Sequence, residues 1–372
     1  NHAPHRGTKP RRPMNETLLR DDDLIVRSDG ALRRITLNRP QALNAITLDM
    51  AIAMTALLLD WQSDPKVGAV LLDGAGDRGF CAGGDIRALY DAAQSKPTGV
   101  ADSLPVRFWA TEYKLNVLIA RYAKPVIVVM DGLVMGGGVG LAAHAAHRVV
   151  TERSAVAMPE VGIGFFPDVG ASFLLARAPG HIGTYLALTG QRLGAADALS
   201  CKLADIHVPA ERLTKLPAAI ASCRNHDEVR TGLERLSAAP APARLPNERE
   251  WIDASYGGDM LEEIIARLRA CRAEGAQVAL EVMGKASPTS LKVTLRNIRS
   301  AATFERVEQS FAQDYRIALA CIAGHDFIEG IRAAIIDKDR NPRWRPEKIE
   351  AVTREIVDRH FRTVGELELT FE

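Results

Sequence analysis

Short apolar runs that alternate with helix-spaced stretches constrain this chain more than any other feature of its sequence. Ala69 to Leu72 and Val126 to Met130 contain no polar residue, so a strand formed by either has two faces to bury, as in a parallel sheet covered by helices. Thr47 to Trp61 precedes the first run with apolar residues at helical spacing (Met50, Met54, Leu57, Leu58, Trp61). A helical stretch from Pro105 to Tyr122 leads into the second run, which is followed by a helix opening at Gly136 to Gly138 and a strand at Arg148 to Val150. Ahead of them, Leu24 to Leu37 carries β-branched residues around Ser28-Asp29-Gly30 and reads as a hairpin. Alternation of this kind predicts an α/β unit with buried strands.

The strand signals fade after Leu203, and Ala238 to Pro246 is a proline- and alanine-rich linker that cannot continue a helix. Beyond it, Asp259 to Glu274, Ser290 to Ser300, Thr303 to Ala320 and Pro346 to His360 read as helices. The expected organisation is an α/β core over 14–210, an α-rich region over 247–372 and a flexible extension over 1–13. That extension is basic and proline-rich but lacks the serines and apolar face of a transit peptide.

Charge excludes some partners. Lys plus Arg total 47 against 46 for Asp plus Glu, a net charge of +1, which supplies no global field to attract nucleic acid or an anionic membrane. Pro125 to Met130 is closed by Asp131-Gly132, far short of the roughly 18 apolar residues that span a bilayer. Cys81, Cys201, Cys223, Cys271 and Cys321 are scattered and lack the close pairing of a zinc or redox motif. They indicate a reducing compartment, and the expected location is the cytoplasm.

Three segments carry candidate chemistry. In Gly79 to Arg87 (Gly-Phe-Cys-Ala-Gly-Gly-Asp-Ile-Arg) small residues let the backbone approach a ligand, and free N–H groups opening the next helix can bind an anionic oxygen. The competing reading is a tight turn with Asp85 as a helix cap. Met135 to Leu141 (Met-Gly-Gly-Gly-Val-Gly-Leu) is a second glycine cluster ahead of an apolar helical run. Two such loops can aim two backbone donors at one carbonyl oxygen, an oxyanion hole. Gly138 to Ala143 also fits the dinucleotide fingerprint G-x-G-x-x-A, but Asp131 to Met135 separate it from its strand, whereas that fingerprint follows its strand directly. A P-loop is excluded because no Lys-Ser/Thr follows the glycines. In Ala157 to Gly170 two carboxylates, Glu160 and Asp168, punctuate an otherwise apolar loop shaped by Gly and Pro, a setting that desolvates an acid and raises its pKa toward that of a general base. The alternative is two surface loop acids, with Asp168 capping a helix that starts at Val169.

Together with Leu37 to Ala45 (Leu-Asn-Arg-Pro-Gln-Ala-Leu-Asn-Ala), these segments resemble the crotonase superfamily. The Pro-Glu at Pro159-Glu160 and Phe-Pro-Asp-Val-Gly at Phe166 to Gly170 resemble its 3-hydroxyisobutyryl-CoA hydrolase branch. So do Ser287 to Lys292, His325 to Arg332, Asp337 to Asp339 and Trp344, so that the resemblance spans nearly the whole chain. It implies a crotonase-like spiral of ββα units with an α-helical C-terminal part covering the active site. It also implies an acyl-CoA substrate, a short branched β-hydroxyacyl thioester cleaved by water, with CoA part of that substrate and no separate cofactor. Carried over by position, the oxyanion donors fall on Gly84 and Gly137 and the catalytic acids on Glu160 and Asp168, the latter binding the substrate hydroxyl or orienting Glu160 and water. Glu112 matches a substrate-pocket position. Ala42, Asn44, Gly83, Asp85 and Ile86 would hold the adenine and pantetheine of CoA, with Arg87 a phosphate partner.

Hydratases of the superfamily place a second Glu two residues after the triple glycine, where this chain has Gly140. That departure favours hydrolysis over the alternative enoyl-CoA hydratase or isomerase, and retention of both carboxylates argues against a non-catalytic acyl-CoA binding protein. Superfamily members commonly form trimers or hexamers, so the resemblance implies a homo-oligomer. His144 and His147 lack a third ligand at metal spacing and read as packing or surface histidines, with no metal expected. The basic residues of Lys338 to Trp344 are interleaved with Asp339 and read as part of a folded element, not a nucleic-acid patch.

Overall fold

The computed structural model describes residues 22–95 and 101–371; the expected extension over 1–13 lies outside them. The predicted hairpin is β1 (Leu24–Asp29) and β2 (Leu32–Leu37), antiparallel about Gly30, whose φ of 58° suits glycine. After α1 (Leu48–Ser63), capped by the Thr47 hydroxyl accepting from Met50 N–H at 3.2 Å, come β3 (Ala69–Gly74) and β4 (Gly79–Cys81). The helices α2 (Ile86–Gln94) and α3 (Leu104–Ala120) follow, then β5 (Val126–Met130), β6 (Leu133–Met135) and α4 (Gly137–Ala143). The next turn holds β7 (His147–Val150), β8 (Ala155–Ala157), α5 (Ala171–Leu175), α6 (Ile182–Thr189) and α7 (Ala195–Ser200), and β9 (Ile206–His207) closes the series.

From β3 onward, successive strands go alternately to two sheets. One has the order β1-β2-β3-β5-β7-β9, parallel from β2 onward, and the other the order β4-β6-β8, parallel throughout. Each long strand is thus followed by a short one and then by helix or turn, and the units stack as the spiral of ββα units that the sequence resemblance implies. The apolar runs are explained by burial on both faces. Val70, Leu72, Val126, Val128 and Met130 enter the main core, while Ala69, Leu71, Ile127 and Val129 meet a second cluster supplied by α8 (Leu216–Ile220) and α9 (His226–Glu234).

The rest of the chain is helical: α10 (Leu245–Tyr256), α11 (Leu261–Ala270), α12 (Glu274–Lys285), α13 (Pro288–Ala301), α14 (Val307–Ala323), α15 (Asp326–Ile331) and α16 (Arg354–His360). Pro246 falls in the first turn of α10, where its missing N–H costs no helical bond. The helix expected over Asp259 to Glu274 stops at Ala270, and two helix starts differ from the sequence reading by more than two residues. The helix expected from Thr303 starts at Val307, because the Gln309 side chain accepts from the N–H groups of Glu305 and Arg306 and sets the cap there. The helix expected from Pro346 begins at Arg354, where Thr353 accepts from Ile356 N–H at 3.3 Å. These helices pack on the spiral: Phe311 and Tyr315 of α14 lie 5.6 and 6.4 Å, centroid to centroid, from Tyr113 of α3, and Phe327 lies 4.5 Å from Phe165. One apolar cluster accordingly runs from Leu24 to Leu369.

Asn44 ties the first loops together. It is buried with φ of 55°, accepts from Arg39 N–H at 2.9 Å, and donates to the carbonyls of Ala75 and Gly79, each at 3.0 Å. Asn44→Ala strands three half-buried backbone groups and loses a residue type that tolerates the left-handed region. The expected cost is about 2–4 kcal/mol of unfolding free energy, read by urea denaturation.

Candidate active site

The site forms where two glycine segments meet. The chain leaving β4 bends at Gly83, whose φ of 112° lies in the region that favours glycine. It is laced to the loop before α1 by Ala82 N–H to Leu43 O at 3.0 Å, Ile46 N–H to Gly83 O at 2.9 Å and Asp85 N–H to Ile46 O at 2.9 Å. None of these bonds uses the Gly84 amide. Gly137 is the first residue of α4, a position whose N–H has no acceptor within the helix. A methyl placed on Gly137 would stand 3.3 Å from Gly84 N, and one on Gly83 3.5 Å from Gly137 N. The two amides therefore adjoin, and no group among the described residues accepts from either.

Three carboxyls close over them. Glu112, on α3, presses its Oε1 against Gly137; Glu160, opening the turn Glu160–Ile163 after β8, brings Oε1 to 3.1 Å from where a Gly136 side chain would start. Asp168 accepts from the Tyr113 hydroxyl at 2.7 Å. Glu112, Glu160 and Asp168 keep only 2, 7 and 5 % of their exposure, and Glu112 Oε1 and Glu160 Oε2 have no hydrogen-bond partner among the described residues. Burial is the dominant force on all three. It pushes Asp168 up to about 7, held from rising further by the Tyr113 hydroxyl and a backbone N–H. Burial pushes Glu112 and Glu160 well above the ordinary carboxylate range, and the charge on Asp168 pushes both further.

The loop carrying Asp168 is held from three sides. Val169 and Gly170 have φ of 52° and 72°. Burial lowers the pKa of His144 to about 4, so the ring is neutral and its Nε2 donates to Val169 O at 2.8 Å. Gly170 N–H donates to Asp314 Oδ2 at 2.9 Å, and Asn297 Nδ2 to Asp314 Oδ1 at 3.0 Å. Asp168 does not cap a helix with its side chain: α5 starts at Ala171, and it is the Asp168 carbonyl that accepts, at 2.8 Å, from Ala171 N–H.

Gly83, Gly84, Gly137, Glu112, Glu160 and Asp168 are thus brought together. The remaining candidates lie along the turn that carries Gly84. Ala42 is half-buried in the turn Pro40–Ala42, the Asn44 side chain is fully bonded, and Ile86 opens α2. Asp85 caps α2 through Ala88 N–H at 3.3 Å and pairs with Arg39 at 3.1 Å. Arg87 donates to Ile335 O at 3.2 Å on the C-terminal helices. Sequence reasoning missed Tyr113 and Asn116, which flank Glu112 at i+1 and i+4, and Asp314, which has no local signal. His147 sits 3.3 Å from His226 Nδ1, and the described residues contain no group of three or more His, Cys, Asp or Glu placed to hold a metal. Among them, no helix is long and apolar enough to cross a membrane.

A ββα spiral with paired free amides under buried carboxyls defines the crotonase class of acyl-CoA enzymes. The sequence pattern of the enoyl-CoA hydratase/isomerase family matches residues 32–361, and the chain belongs to that family. It is 38% identical to a mitochondrial 3-hydroxyisobutyryl-CoA hydrolase of Xenopus laevis over 96% of this chain and 93% of that one. With the Danio rerio protein of the same name it shares 39% identity over 93% and 91% of the two chains. Among solved structures it is similar to a carnitinyl-CoA dehydratase from Mycobacterium thermoresistibile (43% identity, TM-score 0.88, 94% of this chain and 99% of that one). An enoyl-CoA hydratase from Rhodobacter sphaeroides aligns at 41% identity and TM-score 0.86, over 94% of this chain and 100% of that one. The cytoplasmic expectation is corrected by the hydrolase relatives, which are mitochondrial by name; free cysteines report a reducing compartment and do not separate the two.

Two measurements check the electrostatics. In Tyr113→Phe the Asp168 carboxylate loses a donor, its pKa rises, and the limb of kcat/KM that ascends with pH moves alkaline by about one unit, as expected for loss of a bond of about 1.4 kcal/mol. Glu112 holds its proton longer folded than unfolded, so its contribution to stability is present below the unfolded pKa and is lost as pH rises toward the folded one. Glu112→Gln removes that loss. Its melting temperature relative to the parent is expected to be higher at pH 8 than at pH 4.5.

Proposed function

We propose that the chain hydrolyses a short branched β-hydroxyacyl-CoA thioester of the 3-hydroxyisobutyryl-CoA type, giving the free acid and CoA. The observation that carries this reading is the pair of unbonded amides at Gly84 and Gly137 beside the unpartnered Glu160 Oε2, supported by hydrolase relatives over nearly the whole chain. A thioester oxygen placed between the amides accepts from both as it gains charge, each donor contributing about 3 kcal/mol to the transition state. Glu160 then acts on the carbonyl carbon through one of two routes. It attacks directly, expelling CoA thiolate and forming a mixed anhydride that water opens, or it takes a proton from the attacking water. In both, Asp168 orients Glu160 and water, and its negative charge, when ionised, raises the Glu160 pKa further.

In this proposal the CoA moiety runs along Ala42 to Asn44 and Gly83 to Ile86. Its contacts there are to main chain, since the side chains of Asn44 and Asp85 are already bonded, and Arg87 leaves the Ile335 carbonyl to meet a phosphate. A trimer or hexamer is part of the same proposal.

The solved relatives described as a hydratase and a dehydratase raise a second reading, in which Glu160 moves a proton and the thioester survives. Gly140 argues against it: any side chain there would meet Asn116 Nδ2 and Val169 Cβ, each at 2.7 Å, so no second carboxylate fits at that position. A thiol-release assay separates the two. Free CoA from 3-hydroxyisobutyryl-CoA is expected, whereas a conjugated enoyl thioester without thiol would overturn hydrolysis. Glu160→Gln is expected to lower kcat at least about 10³-fold while CoA affinity, read by calorimetry, stays within about threefold.

A further inference from the structure

Asn116 has no part in the mechanism above, yet it is the most conspicuous polar side chain near the site. It is fully buried, and neither its Nδ2 nor its Oδ1 has a hydrogen-bond partner among the described residues. Buried amides are nearly always satisfied, so an orphan pair points to a ligand or a water that completes it. Its place is defined by two helices in register. On α3, Glu112 lies against Gly137 of α4, and one turn further Asn116 lies against Gly140, with Nδ2 2.7 Å from where a Gly140 side chain would begin. Val169, next to Asp168, meets the same point at 2.7 Å. The carboxamide therefore stands about one helical turn, some 5.4 Å, beyond the spot where Glu112 lies against Gly137.

A hydroxyl on the third carbon of an acyl group is three bonds of about 1.5 Å each from the carbonyl carbon. With that carbonyl held by Gly84 and Gly137, the hydroxyl comes within hydrogen-bonding reach of an amide one turn deeper. We propose that Asn116 is the residue that recognises the substrate's β-hydroxyl, and that the bare glycine at 140 exists to let the Asn116 carboxamide reach it. This inference rests on the hydrolase reading and refines its substrate: specificity for a hydroxylated acyl chain resides in Asn116, leaving Asp168, already engaged by Tyr113, to orient Glu160 and water.

The test compares kcat/KM for 3-hydroxyisobutyryl-CoA and isobutyryl-CoA, which differ only in the hydroxyl, in the parent, Asn116→Leu and Asn116→Ala, by thiol release. The parent is expected to prefer the hydroxylated substrate by at least about 100-fold. Each variant is expected to lose about 10- to 100-fold on that substrate and less than about threefold on isobutyryl-CoA, so that the preference collapses. Asn116→Ala leaves a gap rather than a misfit, and thermal melting identifies the variant that is folded. Equal losses on both substrates, an unchanged preference, or a parent that cleaves the two alike would each overturn the assignment while the hydrolase reading stands. A parent that releases thiol from neither overturns the hydrolase reading itself.

Discussion

The whole site depends on two stretches of backbone coming closer than side chains allow. Gly83 and Gly84 on one side and Gly136 to Gly138 on the other pack so tightly that a methyl on Gly138 would strike the Cys81 main chain and one on Gly137 the Glu112 carboxyl. Because neither segment carries a Cβ, the turn after β4 and the first turn of α4 bring two free N–H groups to one place. A helix N-terminus supplies the second donor at no conformational cost, since its first amides have no internal acceptor. The parallel short sheet β4-β6-β8 sets the spacing, for it is its strand ends that deliver both loops.

Around that contact the protein gathers acids that form no ion pair among the described residues. Glu112, Glu160, Asp168 and Asp314 are all buried, and burial raises the pKa of every one. Stability alone would not select this arrangement, because a buried carboxyl either keeps its proton at a cost or ionises at a greater one. What makes it workable is that neutral donors are distributed unequally. Tyr113 donates to Asp168, and Gly170 and Asn297 donate to Asp314, whereas Glu160 Oε2 receives nothing. Glu112 and Glu160 are the two that each keep an unpartnered oxygen among the described residues, and Glu160 is the one proposed as nucleophile or base.

The helical second part takes a direct share in this. Asp314 on α14, itself held by Asn297 on α13, accepts from the Gly170 amide, Phe311 packs on His144 at 5.2 Å between centroids, and the neutral His144 ring holds the Val169 carbonyl. The backbone at Val169 and Gly170 adopts positive φ, a shape those contacts stabilise. Residues more than 140 positions downstream thus decide where Asp168 points.

Much of this was legible in the residues themselves. An apolar run with no polar member, where it forms a strand, must be buried on both faces, and the two cores on either side of β3 and β5 are the physical counterpart of Ala69 to Leu72 and Val126 to Met130. Glycine clusters without Cβ and acids inside an apolar loop announced close backbone approach and raised pKa, because those are local properties of residue type. Helix starts at Val307 and Arg354 were misjudged, since a side-chain cap a few residues downstream outweighs periodicity. What only the folded chain decided is who faces whom. Tyr113, Asn116 and Asp314 are ordinary in sequence, and their roles arise because α3 lies against α4 and α14, placing an unpaired amide over Gly140 and a hydroxyl on Asp168. Such pairings depend on distances between segments far apart along the chain, which no local pattern of residues encodes.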